Sequence, residues 1–380
     1  MRGLFLFSLA AVVAAFASLN AADVKSAKPV VKIGVVLPIS GNNSSLGENG
    51  RDGLLLKLRE IQPTSKYEYK LIFEDDEFVY SKTAMAIQKF KNIDHVDAIM
   101  DLWGQSSYIA VPILKNTNII NLSADRWDEP PAYAYDFSAG CPVQNYVEPT
   151  IKVLKELGIK RVGLFTFGER GIQTCATEMK KQMAGIGITV TEEVMASESR
   201  DFRTWILKLR ESKPDMLVCI GVMPTQEIVL RQMCELGYKL PFCAVGASLW
   251  DVNPIYTEGA WFVDPAPSTP EFRQAFQKEF KRDYRYPATQ FYDAFTALTA
   301  AYEKADGKTK PTNEQIAQAL RQTRDLQGAT GTIEFLPPNR FKTPLSYYLM
   351  VNGHAKKSTM DEVVAAFGKQ LAVWKSSQGK

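Results

Sequence analysis

Residues 31–61 read VKIGVVLPISGNNSSLGENGRDGLLLKLREI. The opening VKIGVVL is apolar on nearly consecutive positions, as in a strand covered on both faces rather than one. Pro38 and a loop of Gly, Ser and Asn follow, and then a leucine-rich amphipathic stretch from about residue 46 to residue 61 reads as a helix. Strand, polar loop and helix form the first unit of a parallel α/β sheet. The loop then stands at the carboxyl end of the strand, where such sheets hold ligands.

Outward from this unit the alternation continues. YKLIFED (69–75), VDAIMDL (96–102) and NIINLS (118–123) are strand-like, with helical patterns at 81–92 and 106–116 between them. The pattern restarts with the helix-like VEPTIKVLKELG (147–158) and RVGLFTF (161–167), and then ITVTEEV, DMLVCIGV and PFCAVGA alternate with helices at about 172–184, 202–211 and 225–236. Ile33-Gly34-Val35 and Val162-Gly163-Leu164 share an apolar-Gly-apolar core, so a second lobe of like design is expected. VDPAPSTP (263–270) reads as a linker. Three helical patterns without intervening strands follow it and cannot found a third sheet. They are expected to return to the first two.

At 380 residues the chain is long enough for two domains. Lys and Arg number 45 against 42 Asp and Glu, a net charge of +3 without basic blocks, which gives no footprint for nucleic acid. Residues 1–21 carry Arg2, an apolar run from Leu4 to about Ala17 and small residues at Ala15, Ala17 and Ala21, the layout of a cleaved secretory signal. Five cysteines with no C-x-x-C spacing argue against a metal site, and an oxidising compartment would permit one or two disulfides, with Cys219 expected as a buried thiol.

No catalytic set emerges. The only histidines, His95 and His354, lie in connections away from the expected site, GQSSY is not a nucleophile elbow, and no phosphate-cradling glycine motif is complete. No cofactor is expected. What remains is a set of polar loops at strand ends: PISGNNSSLGEN, DLWGQSSY, LSADRWDE, TFGERGIQ and GVMPTQ.

The order and spacing of these segments resemble the leucine/isoleucine/valine-type periplasmic substrate-binding proteins of ABC transporters, from about residue 30 to residue 350. The resemblance implies an α/β fold of two doubly wound parallel-sheet lobes joined by three crossovers, the type 1 periplasmic binding fold. It implies lobe 1 at 29–138 plus 268–330, lobe 2 at 139–267 plus 331–380, and a ligand between them. Ser106 and Ser107 match positions that hold a ligand carboxylate, and Ser123 and Asp125 those that meet an α-ammonium. Arg170 and Met223 replace residues that are often aromatic. Gly246 aligns with an acid that often pairs with the ammonium, a departure that leaves Asp125 to supply the charge for an amino-acid ligand. Trp103 adds a flat apolar wall, and Arg126 or Arg170 is a candidate clamp for a second carboxylate. The implied protein is a periplasmic monomer that passes a small polar or aromatic acid to an inner-membrane ABC permease; a soluble sensor that docks on a signalling receptor is the alternative. The tail adds a helical stripe of Val363, Val364, Phe367, Leu371 and Trp374, expected to pack on the second lobe.

Overall fold

A computed structural model describes residues 28–126, 132–196, 199–221, 225–246, 249 and 252–378. The expected signal at 1–21 and Met223 lie outside these residues.

The quoted stretch forms β1 (Val30–Leu37) and, after a short 3-10 turn, α1 (Ser44–Ile61). Its apolar run is explained by two covered faces. Val31, Ile33, Val35 and Leu37 are fully buried in one core cluster with Phe291, Phe295 and Leu298, whereas Val36 joins a second cluster with Ile87, Phe90 and Leu114 on the other side. Burial of each such side chain contributes roughly 1.5–3 kcal/mol. Gly34 faces the second cluster, and a Cβ there would come within 2.6 Å of the Phe90 ring.

The first lobe continues with β2 (Glu68–Asp75), α2 (Tyr80–Lys89), β3 (Ala98–Asp101), α3 (Trp103–Leu114), β4 (Ile120–Ser123) and β5 (Asp136–Ser138). The second lobe holds α4 (Val143–Glu156), β6 (Arg161–Phe167), α5 (Arg170–Gly185), β7 (Thr189–Met195), α6 (Arg203–Glu211), β8 (Met216–Cys219), α7 (Thr225–Glu235), β9 (Phe242–Val245) and β10 (Trp261–Pro265). The strand orders β2-β1-β3-β4-β5 and β7-β6-β8-β9-β10 correspond, all pairs being parallel. Gly163 repeats the role of Gly34, with Leu209 of α6 against it.

The returning helices α8 (Pro270–Phe280), α9 (Ala288–Glu303) and α10 (Asn313–Arg321) belong to the first lobe, whose core takes Phe291, Phe295, Ile316 and Leu320. A small hairpin, β11 (Leu326–Gly328) and β12 (Gly331–Ile333), precedes β13 (Phe335–Leu336) and β14 (Arg340–Phe341). The expectation that residues after 330 join lobe 2 is corrected here. β14 pairs with β5 through Arg340 and Ser138, and Phe335 and Phe341 pack edge-on with centroids 4.6 Å apart inside the first core. The third crossover therefore follows Phe341. β15 (Leu345–Val351) and β16 (His354–Ser358) close the second sheet, and α11 (Met360–Gln378) buries Val363, Phe367 and Leu371 in the second core.

The first and third crossovers touch: the Cys141 thiol lies 3.9 Å from the Thr343 carbonyl. All five cysteines are free thiols, Cys219 among the four that are buried, so no disulfide forms. Among the described residues no helix is long and apolar enough to cross a membrane.

Candidate functional site

The carboxyl ends of β1, β3 and β4 deliver the loops after Leu37, Asp101 and Ser123 to one edge of the first lobe, and β6, β8 and β9 do the same in the second. The two edges meet across a cleft. Arg170, the first residue of α5, places its guanidinium carbon 4.0 Å from the centroid of the Tyr108 ring on α3.

On the first lobe the wall is aromatic. Trp103 opens α3 with φ +67°, a left-handed conformation rarely adopted by bulky residues. Its ring meets Phe78 edge-on at 5.1 Å and lies nearly parallel to Tyr286 at 6.2 Å. The Trp103 indole N–H donates to the Tyr286 hydroxyl, which donates in turn to Asp125 Oδ2 at 2.6 Å. That distance falls in the range for a hydroxyl bound to a carboxylate. Burial holds the Tyr286 hydroxyl well above its ordinary pKa, the Asp125 carboxylate raises it further, and Glu169 from the second lobe adds in the same direction. Glu169 also caps α5, accepting from the Ile172 N–H at 3.0 Å.

The start of α3 has no such cap. Leu102 at the N-cap offers no side-chain acceptor, and no acidic residue stands in the first turn. The first N–H groups of a helix have no partner within it, so this end presents donors and a partial positive charge.

Beneath the wall lies a buried polar floor. Asp101 is fully buried, and burial pushes its carboxyl up to about 6 against the opposing pull of Ser123, Ser107 and the Arg126 charge. The Ser107 hydroxyl donates to Asp101 Oδ1 at 2.8 Å. Asp136 receives Asn121 Nδ2 at 3.1 Å, the Ala132 N–H at 2.8 Å and Arg126 Nη1 at 3.2 Å, with Arg126 Nη2 3.1 Å from its second oxygen. The Arg126 carbonyl is held by Ser138 Oγ and Arg340 Nη1, which ties this floor to the crossovers.

The structure thus separates the residues expected to act together. Trp103 and Asp125 stand on the cleft wall. Ser106 is buried in the first turn of α3, near the uncapped end. Ser107 and Ser123 are fully buried in the Asp101 cluster, so their side chains support the floor. Arg126 is no clamp: its guanidinium is buried against Asp136, an ion pair that desolvation makes costly to part. Arg170 reaches across to Tyr108. Gly246 follows β9 directly with φ +64°, a position that suits glycine and offers no carboxylate. Sequence reasoning missed Tyr286, Phe78, Tyr108 and Glu169. Only Glu169 carried a local signal, an acid just before a helical pattern in the GERG loop.

A family model described as periplasmic binding protein matches residues 30–355. The chain belongs to the periplasmic binding protein family. Solved structures agree on the fold of this family member. A leucine-binding protein from Thermotoga maritima is 22% identical, with 87% of this chain and 98% of that one covered at a TM-score of 0.74. A solute-binding protein of an ABC transporter from Rhodopseudomonas palustris, in complex with benzoate, is 15% identical over 87% and 96% of the two chains at 0.77. A branched-chain amino acid binding protein from Streptococcus pneumoniae, in complex with isoleucine, is 17% identical over 87% and 100% at 0.73. No curated protein matches by sequence. Two lobes, each a largely parallel sheet between helices, are what the alternation of strands and helices led one to expect, and the type 1 periplasmic binding fold is the one that the resemblance implied.

Proposed function

We propose that this periplasmic binding protein captures a small polar or aromatic acid between its lobes and, as a monomer exported behind a cleaved signal, delivers it to an inner-membrane ABC permease. The observation that carries the reading is the uncapped start of α3 beside the Trp103, Phe78 and Tyr286 wall. A carboxylate seated there receives the free backbone N–H groups near Ser106 and the positive end of the helix, while a flat ligand body lies on Trp103. Asp125, with Glu169 across the cleft, supplies negative charge for an ammonium group if the acid carries one. The benzoate and isoleucine named for two structural relatives span these two possibilities. Ligand contacts to both lobes favour the closed state and so drive closure.

A thermal-shift screen of the mature protein against amino acids, aromatic carboxylates, amides and short dicarboxylates tests this. A ligand at a hundred times its dissociation constant stabilises the folded state by about 2.7 kcal/mol, enough to move the melting point by a few degrees. Shifts confined to carboxylate-bearing compounds support the reading. Shifts confined to neutral compounds, or silence across the whole panel, refute it.

A further inference from the structure

Arg170 and Tyr108 stand on opposite lobes, yet the guanidinium carbon lies 4.0 Å from the ring centroid, well inside stacking range. The other cation–π pairs among the described residues, such as Lys57 on Tyr292 and Arg321 on Phe137, lie within the first lobe. Tyr108 is otherwise poorly covered, 47% of it remaining exposed with the Arg170 guanidinium over its ring. It sits one turn beyond the start of α3, and Arg170 is fixed at the start of α5 by the Glu169 cap. Both partners therefore ride on the helices that frame the cleft.

We infer that the Arg170–Tyr108 stack is a latch between the lobes, a contact that closes the cleft without any ligand atom and sets how much of the protein is closed at rest. The inference rests on the reading of the cleft as a ligand site that opens and closes. Arg170 is on this account a positioning residue, not a clamp for a ligand carboxylate. Losing the latch lowers the closed population and weakens every ligand by the same factor, whatever its charge, because affinity scales with the fraction of protein already competent to bind. An exposed cation–π contact is worth a factor of about 2- to 5-fold in such an equilibrium.

The test needs no ligand. Spin labels at Met85→Cys on α2 and Leu207→Cys on α6, both exposed, in a Cys234→Ser background, report the distance between lobes by pulsed electron resonance. Expected is a bimodal distribution whose closed-to-open ratio falls about 2- to 5-fold in Tyr108→Ala and at least as much in Arg170→Ala, falls no further in the double variant than in Arg170→Ala, and does not fall in Tyr108→Phe, which keeps the ring. Circular dichroism melts check that each variant folds, and Tyr108→Phe paired with Arg170→Gln carries the comparison should an alanine variant not. Unchanged ratios, additive losses, or a wild-type distribution without a closed component overturn the latch. Failure of the ligand reading shows separately, as a wild-type distribution that neither benzoate, leucine nor any other acid of the screen alters.

Discussion

Replacing Tyr286 with Phe removes one oxygen from the molecule and breaks two hydrogen bonds at once. The hydroxyl accepts from the Trp103 indole and donates to Asp125 Oδ2 at 2.6 Å. A hydrogen bond to a charged group contributes about 1.5–3 kcal/mol, and the neutral bond from the indole about 0.5–1.5 kcal/mol. Against these stands the relief of no longer burying a hydroxyl whose titration is pushed far up by desolvation. The net expected loss is about 2 kcal/mol, roughly 30-fold in the unfolding equilibrium constant. Urea denaturation followed by circular dichroism measures it. Asp125→Asn and the double variant complete a cycle, and the coupling between the two positions should be about 1–2 kcal/mol because they share one bond. Trp103 fluorescence, read beside it, should change on Tyr286→Phe as the indole loses its acceptor. A loss below about 0.5 kcal/mol with additive effects of the two substitutions would show that the chain from Trp103 through Tyr286 to Asp125 does not form in solution, and the wall built on it would go too.

Two further substitutions probe the floor. Asp101 in the floor and Asp293, a residue of α9 that accepts from the Ala329 and Thr330 N–H groups away from the floor, are both held at about 6 in the folded chain, above the usual carboxylate value, chiefly by burial. Each therefore binds its proton more readily folded than unfolded; the stabilising contribution is complete below about pH 4 and is lost as pH rises through about 6. Urea midpoints for Asp101→Asn should fall less between pH 5 and pH 7 than those of the unmodified protein, and equal slopes would refute a raised Asp101. Arg126→Ala leaves Asp136 buried without its counter-charge and should cost about 3–5 kcal/mol. A loss under about 1 kcal/mol, with weakened binding of acids only, would return Arg126 to the role of a ligand clamp.

The sheets were legible because they rest on local pattern. Val31, Ile33, Val35 and Val36 are apolar because the first three face one helix layer and Val36 the other, and Gly34 and Gly163 recur because each lets a helix close on its strand. The loop DLWGQSSY was legible for the same reason, as a strand end running into a helix, but the early start of that helix at Trp103 and its lack of a cap were not. What failed depends on partners far along the chain. Tyr286 meets Asp125 across 161 residues, and nothing in RDYRYPAT says that the returning segment brings its tyrosine to that point. Residues 331–341 could pair with either sheet by pattern, and only the register of Arg340 with Ser138 assigns them. The division of the serines between cleft and floor has a cause of the same kind. Asp101 is in register with Ser123, and Ser123 with Ser138. In a parallel ladder, partners in register point to the same face of the sheet. Once Asp101 is buried, Ser123 and Ser138 are buried beside it, and Ser107, one turn into α3, bends back to the same carboxylate. The polar residues of a strand-end loop thus divide by sheet face into those that line the cleft and those that hold up the ones that do.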